Sequence, residues 1–526
     1  MRNLRRILQI PVHTFKIIIP RYSKASGKIK DASMSIVLPH EVAEQFDQDG
    51  KLSELFGTSQ SWELFWHCVR DETWFKEHLL RRQIEQSPWL YAPYVLFIDD
   101  APVTRRVGRS IRAVSLVSPL ALNKDPVTGR IALCITVNDE PMRAMIERKA
   151  KATISWSCRA IAFNVHPTRG PDEEALDTQR ASKAGTPVMR SGVRLAFVGM
   201  TGDLDYFAKD FEMPWSFLSD QCCWCCEARM SGPLHNFGDA SLTASWTNTA
   251  RSLESYIEYV VGEGSGMLNP LLGIPGWSND NLYEDVLHAD ALGVRAQANG
   301  STIHQLAHLG TWGEFPTAGS WDSRLNIVLT RAYNDFQGFL KRHGLKSSQP
   351  KFKALTLSLH KMTDFPNLKG KGKNMITVSL WLAEKTEALM SDDDDLSKFR
   401  FSLHWGLKRF WDLMHNMRPR VCFNAAEHDE LETIRAAILL SFYHLHQEAA
   451  SRGVSLYNMT PKFHVVDHMF RRAKRTGISP HMFWTFASED WIGSMAVSSQ
   501  KTHGATMQSS VIERWLVCFW SHYYNV

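Results

Sequence analysis

Between Tyr94 and Met200 the apolar residues run in short unbroken stretches, whereas before and after that segment they recur every three or four residues. Period separates strand from helix, so the chain has to combine both. Tyr94–Ile98 ends on the acid pair Asp99 and Asp100, Ile111–Leu120 follows, and Arg130–Val137 comes after the turn Asp125-Pro126-Val127-Thr128-Gly129. These predict three sequential strands in an antiparallel meander. Residues 141–150 read as helix, 152–164 as extended chain, and Ser182–Gly192 as a polar loop. Val193–Met200 predicts a fourth strand that continues through Thr201 and Gly202 into Asp203, and then an amphipathic stretch, Leu204–Phe211. A meander followed by a strand that delivers an acid into a helix is an α/β pattern.

The flanks read as helix. From Glu41 to Gln86 residues such as Leu52, Leu55, Trp62, Phe65, Trp66 and Val69 form a helical prelude. From Leu242 to Gly453 long helices are predicted near 325–343, 375–391, 399–416 and 428–452, the last ending at Gly453. The acid run Asp392–Asp395 after Ser391 reads as the cap of a helix starting near Leu396.

At 526 residues the chain has length for about three or four domains, or for one core with a large insertion. Apolar residues at 44% and charged residues at 22% exclude a disordered or collagen-like chain. Nine cysteines, four of them packed into 222–226, do not form a spaced disulfide framework and suit a reducing compartment. No apolar run approaches the roughly 18 residues that span a bilayer, so no membrane partner is expected. Residues 1–30 carry eight Lys/Arg and no acid, a composition open to a solvated tail, a basic arm or a transit peptide. The excess of Trp and Phe is assigned to the core. A P-loop is absent from the sequence.

Asp99 and Asp203 each follow an apolar strand, where rigid backbone holds a carboxylate at a sheet edge, and Glu489 opens a helix after Pro480. Three such acids suit paired Mg²⁺ ions, because hard cations take oxygen ligands and two of them stabilise both ends of a phosphodiester displacement. Asp100 is the alternative to Asp99. The cluster Cys222, Cys223, Cys225 and Cys226 offers one zinc knuckle, Cys222 with Cys225 or Cys223 with Cys226, and needs two further ligands such as His235 or His288; buried thiols are the alternative. His464 and His468 have the i, i+4 spacing of a zinc pair on a helix, but with no Glu after His464 they read as structural or DNA-contacting. Asp285 and His288, one helical turn apart, read as bracing residues or as a satisfied core pair. The net charge of +5 hides two basic clusters. Lys341–Lys373 holds nine Lys/Arg against Asp364 alone and includes Lys369, Lys371 and Lys373, and Arg471, Arg472, Lys474 and Arg475 form the second. Both suit phosphate contacts or solvated loops.

Together these pieces resemble the catalytic region of CACTA (En/Spm)-like DDE transposases. Leu96-Phe97-Ile98-Asp99-Asp100 with Arg106-Val107-Gly108-Arg109-Ser110 looks like the first-acid segment of that family. Val198-Gly199-Met200-Thr201-Gly202-Asp203 resembles the second-acid strand, and Asp220 to Cys226 is similar to the Cys-x-x-Cys element that follows. Asp285-Val286-Leu287-His288 matches an Asp-x-x-His signature, and Pro461-Lys462-Phe463-His464 with Phe486 to Glu489 looks like the closing segment and its Glu. The five pieces keep the family's order over about 400 residues.

The resemblance implies an α/β fold, namely an RNase H-like mixed-sheet core split by a large all-helical insertion, with a helical N-terminal region. Its parts are a basic arm and helical prelude over 1–88, the first part of the core with the Cys cluster over 89–241, the insertion over 242–455, and a closing helical part with Glu489 over 456–526. It implies two Mg²⁺ or Mn²⁺ ions on Asp99 (or Asp100), Asp203 and Glu489, used for hydrolytic nicking and strand transfer on double-stranded DNA at transposon ends. A structural Zn²⁺, a homo-oligomer and a nuclear location complete the expectation, the location being mitochondrial if the N-terminus is a transit peptide. The competing reading is a domesticated, catalytically inactive DNA-binding or zinc-stabilised interaction protein.

Overall fold

The computed structural model describes residues 10–23, 26–103, 110–138, 141–217, 219–232, 235–417, 420–504 and 506–524. The Arg106–Arg109 part of the first-acid segment lies outside them. The chain is a mixed α/β protein that divides into two compact units. The first comprises Met1–Pro214, Arg251–Tyr283 and Thr485–Val526, and the second comprises Trp215–Ala250 and Glu284–Trp484.

In the first unit β1 (Phe15–Ser23) and β2 (Lys28–Ile36) pair antiparallel, with Phe15 opposite Ile36. Of the 1–30 segment whose composition leaves its nature open, the described part from Phe15 belongs to this hairpin, and residues 1–9 lie outside the described residues. On β1 the buried Ile17 and Ile19 alternate with the exposed Lys16 and Ile18, whereas the end of β2 is buried continuously from Met34 through Ser35 to Ile36. The helical prelude follows as α1 (Pro39–Gln48), α2 (Ser59–Val69) and shorter turns that bury Trp62, Phe65, Trp66, Trp74 and Phe75.

The main sheet contains β3 (Tyr91–Pro102), β4 (Ser110–Val117), β5 (Ile131–Val137) and β6 (Arg194–Gly202) in the spatial order β5-β4-β3-β6. β3, β4 and β5 form the antiparallel meander, and β6 runs parallel to β3. A parallel neighbour needs a crossover, and α3 (Arg143–Phe163) supplies it. Here the structure corrects the extended reading of residues 152–164. Ile146, Ala150, Ile154, Cys158 and Ile161 are buried at spacings of three and four along one helix. The small and β-branched residues of this stretch imitate a strand locally, whereas the longer window carries the helical period.

β6 leads through Asp203 into α4 (Leu204–Asp210), and the chain later returns through α5 (Leu253–Gly262) to lay Leu282 beside Met200 in a single parallel bridge. That approach needs Gly199 at φ +150°, because a Cβ there would meet the Asn281 carbonyl oxygen at 2.1 Å. Finally α12 (Phe486–Gln500) and α13 (Met507–Tyr524) close the unit. Trp491 of α12 packs edge-on to Phe97 of β3 at 6.1 Å.

The second unit is helical: α6 (Arg295–His308), α7 (Trp321–His343), α8 (Gly372–Ala388), α9 (Asp395–Asn416), α10 (Ala425–Ser451) and α11 (Pro461–Thr476). Part of its core is an aromatic layer of Phe336, Phe352, Trp312 and Trp381, with ring centroids 5.5–5.8 Å apart. As the acid run predicts, Asp394 caps α9, its carboxylate accepting the Leu396 N–H at 3.0 Å. No helix among the described residues is long and apolar enough to cross a membrane.

Candidate metal centres

A pair of carboxylates stands close enough to share a metal ion, and a group of four side chains can hold one. The first lies in the first unit at the C-terminal ends of β3 and β6. The register pairs Ile98 with Gly202, so Asp99 stands beside Asp203; Asp203 follows the end of β6 as expected, whereas Asp99 is still inside β3, opposite Ala113 of β4, because β3 continues to Pro102. Glu489 arrives on the first turn of α12, and its ligand oxygen lies within 4.8 Å of that of Asp99. Oxygens bound to one Mg²⁺ at about 2.1 Å stand roughly 3 to 4.2 Å apart, so a small closure brings both onto one ion. Asp203 stands outside that 4.8 Å group. Its carboxylate accepts the Asp205 N–H at 3.3 Å and so caps α4.

The pleat separates Asp99 from Asp100. Asp99 is only 6% exposed, whereas Asp100 is paired two-pronged with its cross-strand partner Arg112, at 2.8 and 3.1 Å. Arg112 also reaches Glu147 at 3.0 Å and Asp210 at 3.3 Å. The carboxylates around it outweigh the cost of burial and hold its pKa above the ordinary value. Asp100 thus belongs to a charge network, and Asp99 is the acid that meets Glu489.

Arg130, which precedes β5, holds the Glu489 helix in place. It is fully buried between Phe97 (6.0 Å) and Trp491 (5.3 Å), donates to the Ser488 hydroxyl at 2.9 Å, and is pulled down to about 9 by burial. In the sequence an Arg at a strand start carries no signal of its own, so Arg130 is not among the expected site residues.

The second group lies wholly within the second unit. Cys223, Cys226, His464 and His468 bring one ligand atom each to within 4.8 Å of one another. The two Nε2 atoms are 3.0 Å apart. The sulfur to nitrogen distances are 3.5 Å for Cys223 to His468, 3.2 Å for Cys226 to His464 and 3.3 Å for Cys226 to His468. A tetrahedral ion with bonds of about 2.0 to 2.3 Å to N and S has edges of roughly 3.3 to 3.8 Å, so this set fits one ion with little movement.

The local structure explains why these four meet. His464 and His468 are one turn apart on α11 and face the same way. His464 donates Nδ1–H to the Phe237 carbonyl at 3.2 Å, leaving the Nε2 lone pair for the site. The Cys225 N–H donates to the Cys223 sulfur at 3.3 Å, and the Cys222 N–H to the Ala228 carbonyl at 3.1 Å, closing a tight knuckle. Trp246 lies against both imidazoles at 4.4 and 4.8 Å and is itself covered by Arg471 at 4.8 Å. Burial lowers His464 to about 4 and drives His468 well down, so both rings are neutral donors near pH 7. Burial also pushes the Cys223 thiol up, so in the apo site it stays protonated; a bound cation displaces that proton.

Of the two knuckle pairings, the structure selects Cys223 with Cys226. Cys222 turns its sulfur to the Ala228 carbonyl at 3.7 Å, and Cys225, raised by its hydrogen bond with Cys223 and by burial, is outside the four-atom group. The ligands His235 and His288 give way to His464 and His468. His288 instead holds Asp285, with Nδ1 donating at 2.6 Å to a fully buried carboxylate.

The basic clusters differ. Lys369, Lys371 and Lys373 are exposed around the start of α8. In the other cluster Arg471 pairs with Asp467 at 3.0 Å, Arg472 with Glu284 at 3.0 Å, and Lys474 donates to the His428 carbonyl at 2.9 Å; Arg475 is exposed. Asp467 also accepts from the buried Arg435 at 2.8 Å, which ties α11 to α10.

No family model matches the chain, and no curated protein matches it.

Proposed function

We propose that the first unit is an RNase H-like nuclease core and that the chain is a DDE-type transposase, or a relative derived from one, acting on double-stranded DNA. The observation that carries this reading is the meeting of Asp99 and Glu489 across β3 and α12, next to the end of β6 where Asp203 stands. The sheet supports it. Counting the main-sheet strands in chain order gives the spatial order 3-2-1-4, with the fourth parallel to the first and Leu282 in the place of a fifth.

Asp99, Glu489 and Asp203 would hold Mg²⁺ or Mn²⁺, the last after releasing its cap on α4. When bound, two such ions lower the pKa of an attacking water or hydroxyl and stabilise the leaving oxygen. The protein's own part is positional. The β3 backbone fixes Asp99, and Arg130 clamps the turn of α12 that bears Glu489 through Ser488. Lys369, Lys371 and Lys373 supply phosphate contacts in this reading. The Cys223, Cys226, His464 and His468 set would take Zn²⁺, because two thiolates and two neutral imidazoles in a closed, buried tetrahedron are the donor set of a structural zinc. A nuclear location accompanies the function.

The test is nicking of supercoiled plasmid in Mn²⁺ or Mg²⁺ by the full chain, by Asp99→Asn and by Glu489→Gln. The wild type is expected to nick, and each variant to lose on the order of 100-fold, the loss typical of removing one preorganised electrostatic partner. Equal activity in all three would remove the carboxylates from the mechanism. A wild type inert in both metals while binding the same DNA would favour the domesticated DNA-binding alternative.

A further inference from the structure

A second histidine pair with the spacing of the zinc ligands lies elsewhere in the helical unit. His304 and His308 are one turn apart on α6, and their Nε2 atoms stand 3.2 Å from each other, against 3.0 Å for His464 and His468. His308 is fixed by stacking on Phe315, with centroids 4.7 Å apart and planes 24° from parallel. The pair faces a cleft of about 440 Å³ whose other walls include Leu309, Trp321, Met362, Leu445 and Leu456. Leu309 and Met362 are 62% and 68% exposed, and Glu448 and Arg452 add charged groups to the same lining.

We propose that His304 and His308 form an open binding site for a divalent transition ion of the imidazole-preferring kind, Zn²⁺, Ni²⁺ or Cu²⁺. The Nε2 separation is close to the roughly 3.3 Å edge that two nitrogens make on one ion at about 2.0 to 2.1 Å. Two His at i, i+4 on one helix face are the minimal clip for such ions, and hard cations prefer oxygen. The difference from the Cys/His site is coordination. There a thiol pair closes the tetrahedron, whereas here the remaining positions face the cleft, the arrangement of a site with exchangeable ligands.

The test is calorimetric titration of the zinc-loaded full chain with Ni²⁺ at neutral pH. One Ni²⁺ per chain is expected to bind beyond the resident zinc, and affinity is expected to fall at least about tenfold in His304→Gln and in His308→Gln. His360→Ala, at an exposed histidine elsewhere, is expected to bind as the wild type does. No uptake, or unchanged uptake in both glutamine variants, overturns the site. The nitrogen hyperfine pattern of one bound Cu²⁺ gives a second readout that does not depend on the His304 variant folding. Two imidazole nitrogens are expected in the wild type and one in His308→Gln, and a single nitrogen in the wild type overturns the pair.

Discussion

Asp99 and Asp100 are chemically identical neighbours with opposite duties, because the pleat sends one to α12 and the other to Arg112. Asp100→Asn is expected to leave Mn²⁺ affinity within about twofold and to cost about 1 kcal/mol of stability, a modest figure because the Asp100 side chain is 40% exposed. Urea titration beside metal titration checks it; lost metal binding would reverse the assignment. Buried histidines set a second expectation. His40 and His404 are each pulled down to about 3 by burial, and His78 to about 4 by the same cause. Free histidine titrates near 6.5, so below that pH the unfolded chain binds more protons than the folded one. Stability is therefore complete above about pH 6.5 and falls as pH drops toward 4. Urea midpoints measured from pH 8 to 4 should be flat and then decline. A midpoint unchanged down to pH 5 would contradict the burial of these rings.

At the level of elements, the knuckle and α11 come from segments far apart in the chain and are joined by one four-atom cluster. Chelation, or His468→Ala, is expected to release one zinc per chain and to lower the melting temperature by about 10 °C, since a structural ion's binding energy is folding energy. Metal analysis with thermal melts checks it, and an unchanged melt would make the cluster incidental. Gly199→Ala is expected to cost about 2 to 4 kcal/mol by driving Asn281 off β6. Both halves of the Cys-x-x-Cys and His-x-x-x-His pattern are legible in the sequence, but their pairing is not, because more than two hundred residues intervene and contact across such a gap leaves no local periodicity. The same limit explains α3. A short window of Thr153, Ile154, Trp156 and Cys158 reads as strand, and only the full run of buried positions from Ile146 to Ile161 shows the helix.

For the molecule as a whole, the sequence carries the meander, the strand that ends in Asp203 and the long helices, because each is a strong local pattern in a window of its own length. The β1–β2 hairpin was hidden by its charge. Lys16, Arg21, Lys28 and Lys30 give that segment the composition of a tail, although the run Ile17-Ile18-Ile19 among them supplies the two buried positions of a strand, Ile17 and Ile19. The partnership of Asp99 with Glu489 is the long-range feature on which the functional reading depends, and it can be tested before any DNA sequence preference is known. Mn²⁺ binding to the zinc-loaded chain, followed by the loss of the free-ion electron paramagnetic resonance signal, is that measurement. Wild type is predicted to take up Mn²⁺ in competition with Mg²⁺, and Asp99→Asn and Glu489→Gln each to weaken uptake at least about tenfold. Uptake equal in the wild type and both variants would contradict a metal centre at the end of β3.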